Sequence, residues 1–351
     1  MAKAEGKAPC IELGYLEECA AWKLESRFFP CKVGGKPAWL DLFDVPSKIP
    51  CGKCDKQCIF LCQVYAPYEE LDSCFHRTVF IFICRDPSCC KYNENKNLVV
   101  YRCQLNRRNK FFMFEPPVEE EKWQPDISPE LCKTCCVCGA KSGSHCGKCK
   151  VAYYCSKEHQ VIDWKLGHKE RCSSGTVHKD EERGERKGVM LPQFEIVIEP
   201  EEELPDDLRT EEERVQEFER MVQEGKAGTL QDDISVELQK VTSPEDRQFS
   251  KFTSRIKRNP DQVLRYNRGG VPLWISTHHI PNEEDIPHCE YCGTQRQFEF
   301  QILPQMLNYL GLDSTEDSVD WGTLAVYTCS QSCDEGPAYK QEFLWKQDII
   351  S

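Results

Sequence analysis

The sequence predicts an α+β fold that is mainly antiparallel β, with two related modules at the ends of the chain and a small cysteine-rich finger between them. Three observations carry that expectation. A block of glycine, proline, tryptophan and cysteine recurs at both ends, the 24 cysteines fall into separate groups, and the net charge of -13 over 351 residues is concentrated in one stretch. With 40% hydrophobic and 29% charged residues, the chain has apolar material for two or three modest domains. Twelve cysteines lie from Cys10 to Cys103, eight from Cys132 to Cys172, none from Ser173 to His288, and four from Cys289 to Cys333.

The N-terminal module is assigned to residues 1–117 and the C-terminal module to 244–351. One carries Gly34-Gly35-Lys36-Pro37-Ala38-Trp39-Leu40, the other Gly269-Gly270-Val271-Pro272-Leu273-Trp274-Ile275, with Gly, Gly, Pro and Trp at the same spacing. Each continues through Ile-Pro to a C-x-x-C knuckle, Cys51 with Cys54 and Cys289 with Cys292. An apolar strand with F-x-x-Q and a proline follows, at Phe60, Gln63, Pro67 and at Phe298, Gln301, Pro304. Next come the β-rich runs 78–84 and 323–329, each ending in cysteine, with Cys89 or Cys333 shortly after. Four thiolates from two knuckles at strand ends are what a closed tetrahedral zinc requires. One site is therefore expected from Cys51, Cys54, Cys84 and Cys89, and another from Cys289, Cys292, Cys329 and Cys333. Cys90 competes with Cys89 for the first. Cys58 and Cys62 on an apolar strand, and Cys10, Cys19, Cys31, Cys74 and Cys103 without paired spacing, read as packing residues. The two modules are expected to pair through a pseudo-twofold into one body.

Residues 132–174 hold the densest motif, Cys135-x2-Cys138-x7-Cys146-x2-Cys149-x5-Cys155-x3-His159-x8-His168-x3-Cys172. Eight ligands in under forty residues make two zinc sites. A helical pattern from Ser156 through Trp164 to Arg171 would put His168 and Cys172 on one face. Cys132 and Cys136 crowd the first knuckle but fit the paired spacing less well. A finger this small cannot build a core, so metal would supply much of its folding free energy. Through Tyr154-Cys155-Ser156, Gln160, Trp164, His168 and Cys172 the segment resembles a MYND finger. The resemblance implies cross-bracing, with Cys135, Cys138, Cys155 and His159 on one zinc and Cys146, Cys149, His168 and Cys172 on the other. His159 departs from the family, which usually has cysteine there. The resemblance also implies a peptide binder, often of proline-rich ligands. Residues 132–179 are basic by +6, yet zinc fingers that read DNA use a different ββα spacing, so no direct DNA reading is expected.

Residues 175–243 read as an acidic, partly helical linker. Within 199–213, nine carboxylates face the single Arg209, which suits an extended, solvated strip or a dock for a basic partner. Thr210 and Glu213 form a capping box, Val215, Phe218 and Val222 repeat at helical spacing, and Gly225 can end the helix. A second helix is expected from Ser243 toward Pro260, burying Phe249, Phe252 and Ile256.

Every expected metal site is closed by four Cys or His, which argues against metal catalysis, and no G-x-S-x-G, Walker loop or dinucleotide fingerprint is present. The chain is expected not to be an enzyme. No stretch approaches the roughly 18 apolar residues of a membrane helix, the longest comparable run being 79–83, and the first thirty residues lack a signal-type apolar core. A cytoplasmic and nuclear location without membrane contact is expected, where paired thiols bind metal more often than they form disulfides.

The order of these parts, with Gln63-Val64-Tyr65-Ala66-Pro67, Pro192-Gln193-Phe194-Glu195-Ile196-Val197-Ile198-Glu199, Leu264-Arg265-Tyr266 and Trp345-Lys346-Gln347-Asp348, resembles the programmed cell death protein 2 family. The resemblance implies two zinc-binding β modules, an inserted MYND zinc finger and a dedicated chaperone. Its client would be a basic small-subunit ribosomal protein, ribosomal protein two of the universal uS-five family, escorted to small (40S) subunit assembly. About four structural Zn2+ ions per chain are expected. The competing reading is a transcriptional or chromatin adaptor whose MYND finger recruits proline-rich co-regulator peptides.

Overall fold

Strand His76–Ile83 is buried along its whole length, which a half-buried strand with a polar face cannot be. Val79, Ile81 and Ile83 belong to one apolar core, while Phe80 and Phe82 belong to a second that includes Trp39, Leu40, Val45 and Ile49. Alternation thus fills two layers: a barrel interior and an outer layer made by the loop after the Gly-Gly turn. In the computed structural model, residues 11–123, 132–174, 190–202, 244–311 and 319–349 are described.

The barrel strands are β1 (Glu12–Glu17), β2 (Lys32–Val33), β3 (Ile59–Tyr65), β4 (His76–Ile83), β5 (Leu98–Leu105), β8 (Phe194–Pro200), β9 (Leu264–Tyr266), β10 (Arg296–Ile302), β11 (Thr323–Cys329) and β12 (Tyr339–Gln347). They close in the order β1-β8-β2-β3-β4-β5-β12-β11-β10-β9, and all neighbours are antiparallel. The N-terminal strands β2 to β5 thus meet the C-terminal strands β12 to β9 in reverse order. Their seam is β5 against β12, with Tyr339 opposite Cys103 and Glu342 opposite Val100. Among the described residues the fold is a single barrel, mostly antiparallel β, with few helices.

Local details recur on both sides of the seam. Register shifts occur in β3 between Phe60 and Cys62 and in β10 between Phe298 and Phe300. Gln63 Oε1 accepts from the Ala38 N–H at 2.8 Å, and its Nε2 donates to the Ala38 carbonyl. Gln301 does the same for Leu273, at 2.6 and 3.0 Å. The F-x-x-Q glutamine therefore clamps the loop that carries the tryptophan. Trp39 then packs on Phe80 and Phe82, and Trp274 packs with Ile286, Phe298 and Tyr327.

Charges cross the interior where apolar contacts alone would be expected. Arg77 on β4 and Glu299 on β10 are both fully buried and doubly bonded, with Arg77 Nη2 at 2.7 Å from Glu299 Oε2. The Thr328 hydroxyl also donates to Glu299, and the Tyr266 hydroxyl donates at 3.1 Å. On the seam, Glu342 accepts from Arg102 Nε at 2.7 Å and from Arg296 Nε at 2.8 Å.

Two expectations change. Strand β8 falls inside the segment assigned to the acidic linker, and Glu201 just after it is buried and 2.8 Å from Arg265, so the start of the acidic run belongs to the barrel. Ile196 and Ile198, two residues apart on one face of a strand with two antiparallel partners, pack into the barrel core and explain why. The capping box at Thr210 and the helix through Gly225 lie outside the described residues. Helix α3 (Pro244–Arg258), the next helix among the described residues, forms as expected and buries Phe252 with Ile275 and Leu303, but Phe249 stays 53% exposed. Gln248 faces the barrel instead and donates to the Trp274 carbonyl.

Removing one partner of a fully buried pair leaves a charge without compensation. Arg77→Met should destabilise the fold by about 3–5 kcal/mol in urea denaturation, and the double variant Arg77→Met/Glu299→Leu by distinctly less. Burial alone would raise the Glu299 carboxyl, but Arg77 holds it down at about 2. The pair's contribution is complete above the unfolded carboxyl value near 4.3 and declines as pH falls toward 2. In the double variant this acid-dependent share of stability should be missing.

Candidate metal centres

All four expected ligand sets are gathered, each with its ligand atoms within 4.8 Å of one another: Cys51, Cys54, Cys84, Cys89; Cys135, Cys138, Cys155, His159; Cys146, Cys149, His168, Cys172; and Cys289, Cys292, Cys329, Cys333. The backbone explains how each C-x-x-C closes. In every knuckle the residue four after the first cysteine has positive φ, at Asp55 (59°), Gly139 (76°), Lys150 (60°) and Gly293 (74°). Each sends its N–H back to that cysteine's carbonyl at 2.8 to 2.9 Å. This turn curls both thiols to one side. Cys84 and Cys329 are brought opposite by the ends of β4 and β11. Cys89 is presented by a short turn that Asp86 caps through the Ser88 N–H.

A tetrahedral zinc with bonds of about 2.3 Å needs sulfurs about 3.8 Å apart. The cross-pairs are 3.8 Å for Cys54 and Cys84, 3.6 Å for Cys138 and Cys155, and 3.8 Å for Cys146 and Cys172. Cys289 with Cys333 and Cys292 with Cys329 are both at 3.6 Å. The donor sets fit zinc, and no disulfide joins any described cysteine. The second thiol of each barrel knuckle is tuned alike: the Lys56 backbone N–H lowers the Cys54 pKa, and hydrogen bonds from Thr294 bring Cys292 to about 6. A thiolate is the metal-binding form. Cys90 points elsewhere, toward the Asp320 carbonyl and Lys346 Nζ at 3.6 and 3.7 Å.

The finger is a two-stranded ribbon, β6 (Ser144–His145) with β7 (Tyr153–Tyr154), followed by α1 (Lys157–Asp163) and α2 (Lys169–Ser174). The expected continuous helix is broken between them, because Gly167 takes φ 114°. That kink carries His168 onto Cys149, with Nε2 at 3.7 Å from Sγ. His159 uses its other nitrogen: Nδ1 lies 3.2 Å from Cys155 and 3.6 Å from Cys135, on a helix start capped by the Ser156 hydroxyl. Imidazole thus takes the place of the usual thiolate without disturbing the cluster.

The sequence reading missed the support behind these ligands. Asp163 is fully buried, accepts from the Tyr154 hydroxyl at 2.7 Å and Arg171 at 3.2 Å, and has Oδ2 3.9 Å from His168 Nδ1. It orients the imidazole from behind the metal side. Cys136 also turns to Asp163, at 3.5 Å, and so does not compete for the first cluster. The only advance signal for Asp163 was a carboxylate amid basic residues, on the helix leading to His168. Trp39 was likewise read only as a repeat marker. Its Nε1 donates to the Gly139 carbonyl at 2.7 Å, joining the first finger knuckle to the barrel's outer layer. A Cβ on Gly139 would come within 2.6 Å of Pro37, so glycine is required for that approach.

Each centre offers four side chains and no carboxylate, which suits a closed structural ion with no position left for substrate. Metal analysis of the purified protein should find about four zinc ions per chain, and a chelator should change its near-ultraviolet dichroism. Asp163→Asn should weaken zinc at the Cys146 centre by about 10- to 100-fold in chelator competition while the Cys135 centre is retained.

Comparison with known proteins agrees with this layout. Residues 10–119 match the N-terminal domain of programmed cell death protein 2, residues 246–348 its C-terminal putative domain, and residues 135–172 the MYND finger. The chain is 43% identical over 346 residues to programmed cell death protein 2 of Mus musculus, covering 97% of this chain and 96% of that protein. It is 44% identical over 353 residues to the Bos taurus protein of the same name, covering 99% and 98%. A more distant relative, the probable 20S rRNA accumulation protein 4 of Schizosaccharomyces pombe, is 24% identical over 355 residues, covering 86% of this chain and 87% of that protein. No solved structure matches the chain. With three family segments in the same order as the two halves of the barrel and the finger docked between them, the chain belongs to the programmed cell death protein 2 family.

Proposed function

We propose that the protein is a non-enzymatic binding platform, made of two copies of one zinc-stapled β module, that escorts a basic small-subunit ribosomal protein to small-subunit assembly in the cytoplasm and nucleus. The observation that carries this reading is the kinship, over 86% of the chain, with a protein named for 20S rRNA accumulation. The charge balance supports it. A chain of net charge -13 attracts a cationic client, shields it from premature contact with RNA, and yields it when rRNA offers denser charge. The client belongs on the barrel and the acidic strip, with the finger as an added contact.

A second reading has its own support. Val161, Trp164 and Leu166 are 42%, 38% and 40% exposed around the kink of the finger, an apolar face on which a proline-rich co-regulator peptide would lie.

Capturing the tagged protein during translation separates the two. Enrichment of the transcript of the ribosomal protein of the uS-five family is expected, whereas co-regulators alone would favour the adaptor. Neutralising the carboxylates of residues 202–213 should weaken client capture and reduce its salt dependence, while deleting residues 132–174 should leave most of it. Glu201 is excluded from that variant because it holds Arg265.

A further inference from the structure

A cavity of about 830 Å3 opens outside the barrel between residues 20–27, the segment 36–38 that follows the Gly-Gly turn, and Gln193. Lys32 lines it and is itself only 2% exposed. Its Nζ donates to the Lys36 carbonyl and to Gln193 Oε1, both at 2.9 Å and both neutral. An ammonium has a third hydrogen, and among the described residues what else it faces is the Phe60 ring, 5.8 Å away, the Cys19 thiol and the Lys36 ammonium, none of them a carboxylate. Glu195, opposite Lys32 in the β2 to β8 register, hydrogen-bonds the Cys19 thiol instead. Burial, and then Lys36, pull the Lys32 amine down to about 7, as befits a cation without a counter-charge.

Arg27 offers a second open donor in the same cavity. Its Nε lies 2.7 Å from Glu25 and its Nη2 donates to the Glu121 carbonyl, but Nη1 is buried without a hydrogen-bond partner. The fold does not demand the lysine. In the C-terminal copy of the turn, Asn267 stands where Lys32 stands, and its neutral amide folds against Gly270. The cavity is nevertheless built around the amine: a Cβ on Gly35 would fall 2.2 Å from Gln193 Oε1, so glycine there lets Gln193 reach Lys32.

We propose that this cavity binds the C-terminal carboxylate of a peptide ending in an aliphatic residue, with Lys32 and Arg27 on the carboxylate and Trp22 and Leu24 along the side chain. A buried ammonium held only by neutral acceptors and an open guanidinium N–H, beside Trp22 and Leu24, suit a carboxylate borne on an apolar group. Glu25 and Glu121 among the lining residues repel a segment carrying further carboxylates, which favours a single terminal one over an acidic run. The inference stands apart from the escort reading, since it concerns a small site and not the charge of a whole client.

The test is calorimetric titration of the zinc-replete full-length protein with acetyl-Ala-Ala-Leu-Leu as the free acid, with its C-terminal amide, and with inorganic phosphate. The free acid should bind, the amide at least tenfold more weakly, and phosphate more weakly still. Lys32→Asn, which installs the residue of the other copy, should cost tenfold or more with zinc content and far-ultraviolet dichroism unchanged. If that variant misfolds, Trp22→Ala carries the same comparison. No binding of the free acid, equal binding of acid and amide, phosphate binding as tight as the peptide, or full affinity in the folded variants would each overturn the proposal.

Discussion

The barrel depends on a few charges that span its interior. Arg77 with Glu299 and Arg102 with Glu342 tie strands near the N-terminus to strands near the C-terminus, more than two hundred residues apart in the chain, and Arg296 holds the same Glu342 from its own half. Apolar residues alone would close a barrel in several registers, because many pairings bury similar area. A buried ion pair does not tolerate that freedom: a slip by one residue turns the side chain to the opposite face and strands its charge. The two halves therefore meet at β5 and β12 in one register. The loops and metal clusters outside the sheet inherit their positions from it.

Outside the sheet, each half adds a layer by the same device. A Gly-Gly turn leads to a tryptophan loop clamped by a strand glutamine, and a C-x-x-C knuckle brings two thiols against two from the strand ends. Four thiolates about 3.6 to 3.8 Å apart repel one another without a cation, so a metal there would join loop to strand. The finger extends this layer. Trp39 bonds to Gly139 of the first finger knuckle, so that metal centre and the barrel share a contact. Zinc in these centres would hold the loops of the outer layer against the barrel.

Much of the candidate site was legible because zinc chemistry is local. A knuckle needs two cysteines separated by two residues and, directly after the second, a residue able to take positive φ, and Asp55, Gly139, Lys150 and Gly293 occupy that place. The duplicated Gly, Pro, Trp and Gln spacing was legible for the same reason, since each copy folds its own loop onto its own strand. Strand β8 was not legible. Its charges resemble those of the linker that follows, and only its two partners, β1 and β2, make it a strand. Asp163 was missed because its role depends on a helix break at Gly167 that turns His168 toward it.

The sequence by itself determined the candidate ligand sets, the repeated Gly, Pro, Trp and Gln spacing, the family and the sign of the overall charge, because each rests on residue type and not on what lies far away in the chain. Tertiary structure alone decided that strands from both ends form one closed barrel and that Glu201 is an internal partner of Arg265 and not part of a solvated strip. It also decided that Cys89 and not Cys90 joins its cluster, and that Lys32 is buried with only neutral acceptors among the described residues. The physical reason is the same in each case. A side chain's ionisation, burial and partners are set by what the fold brings from distant segments, and no local pattern records that.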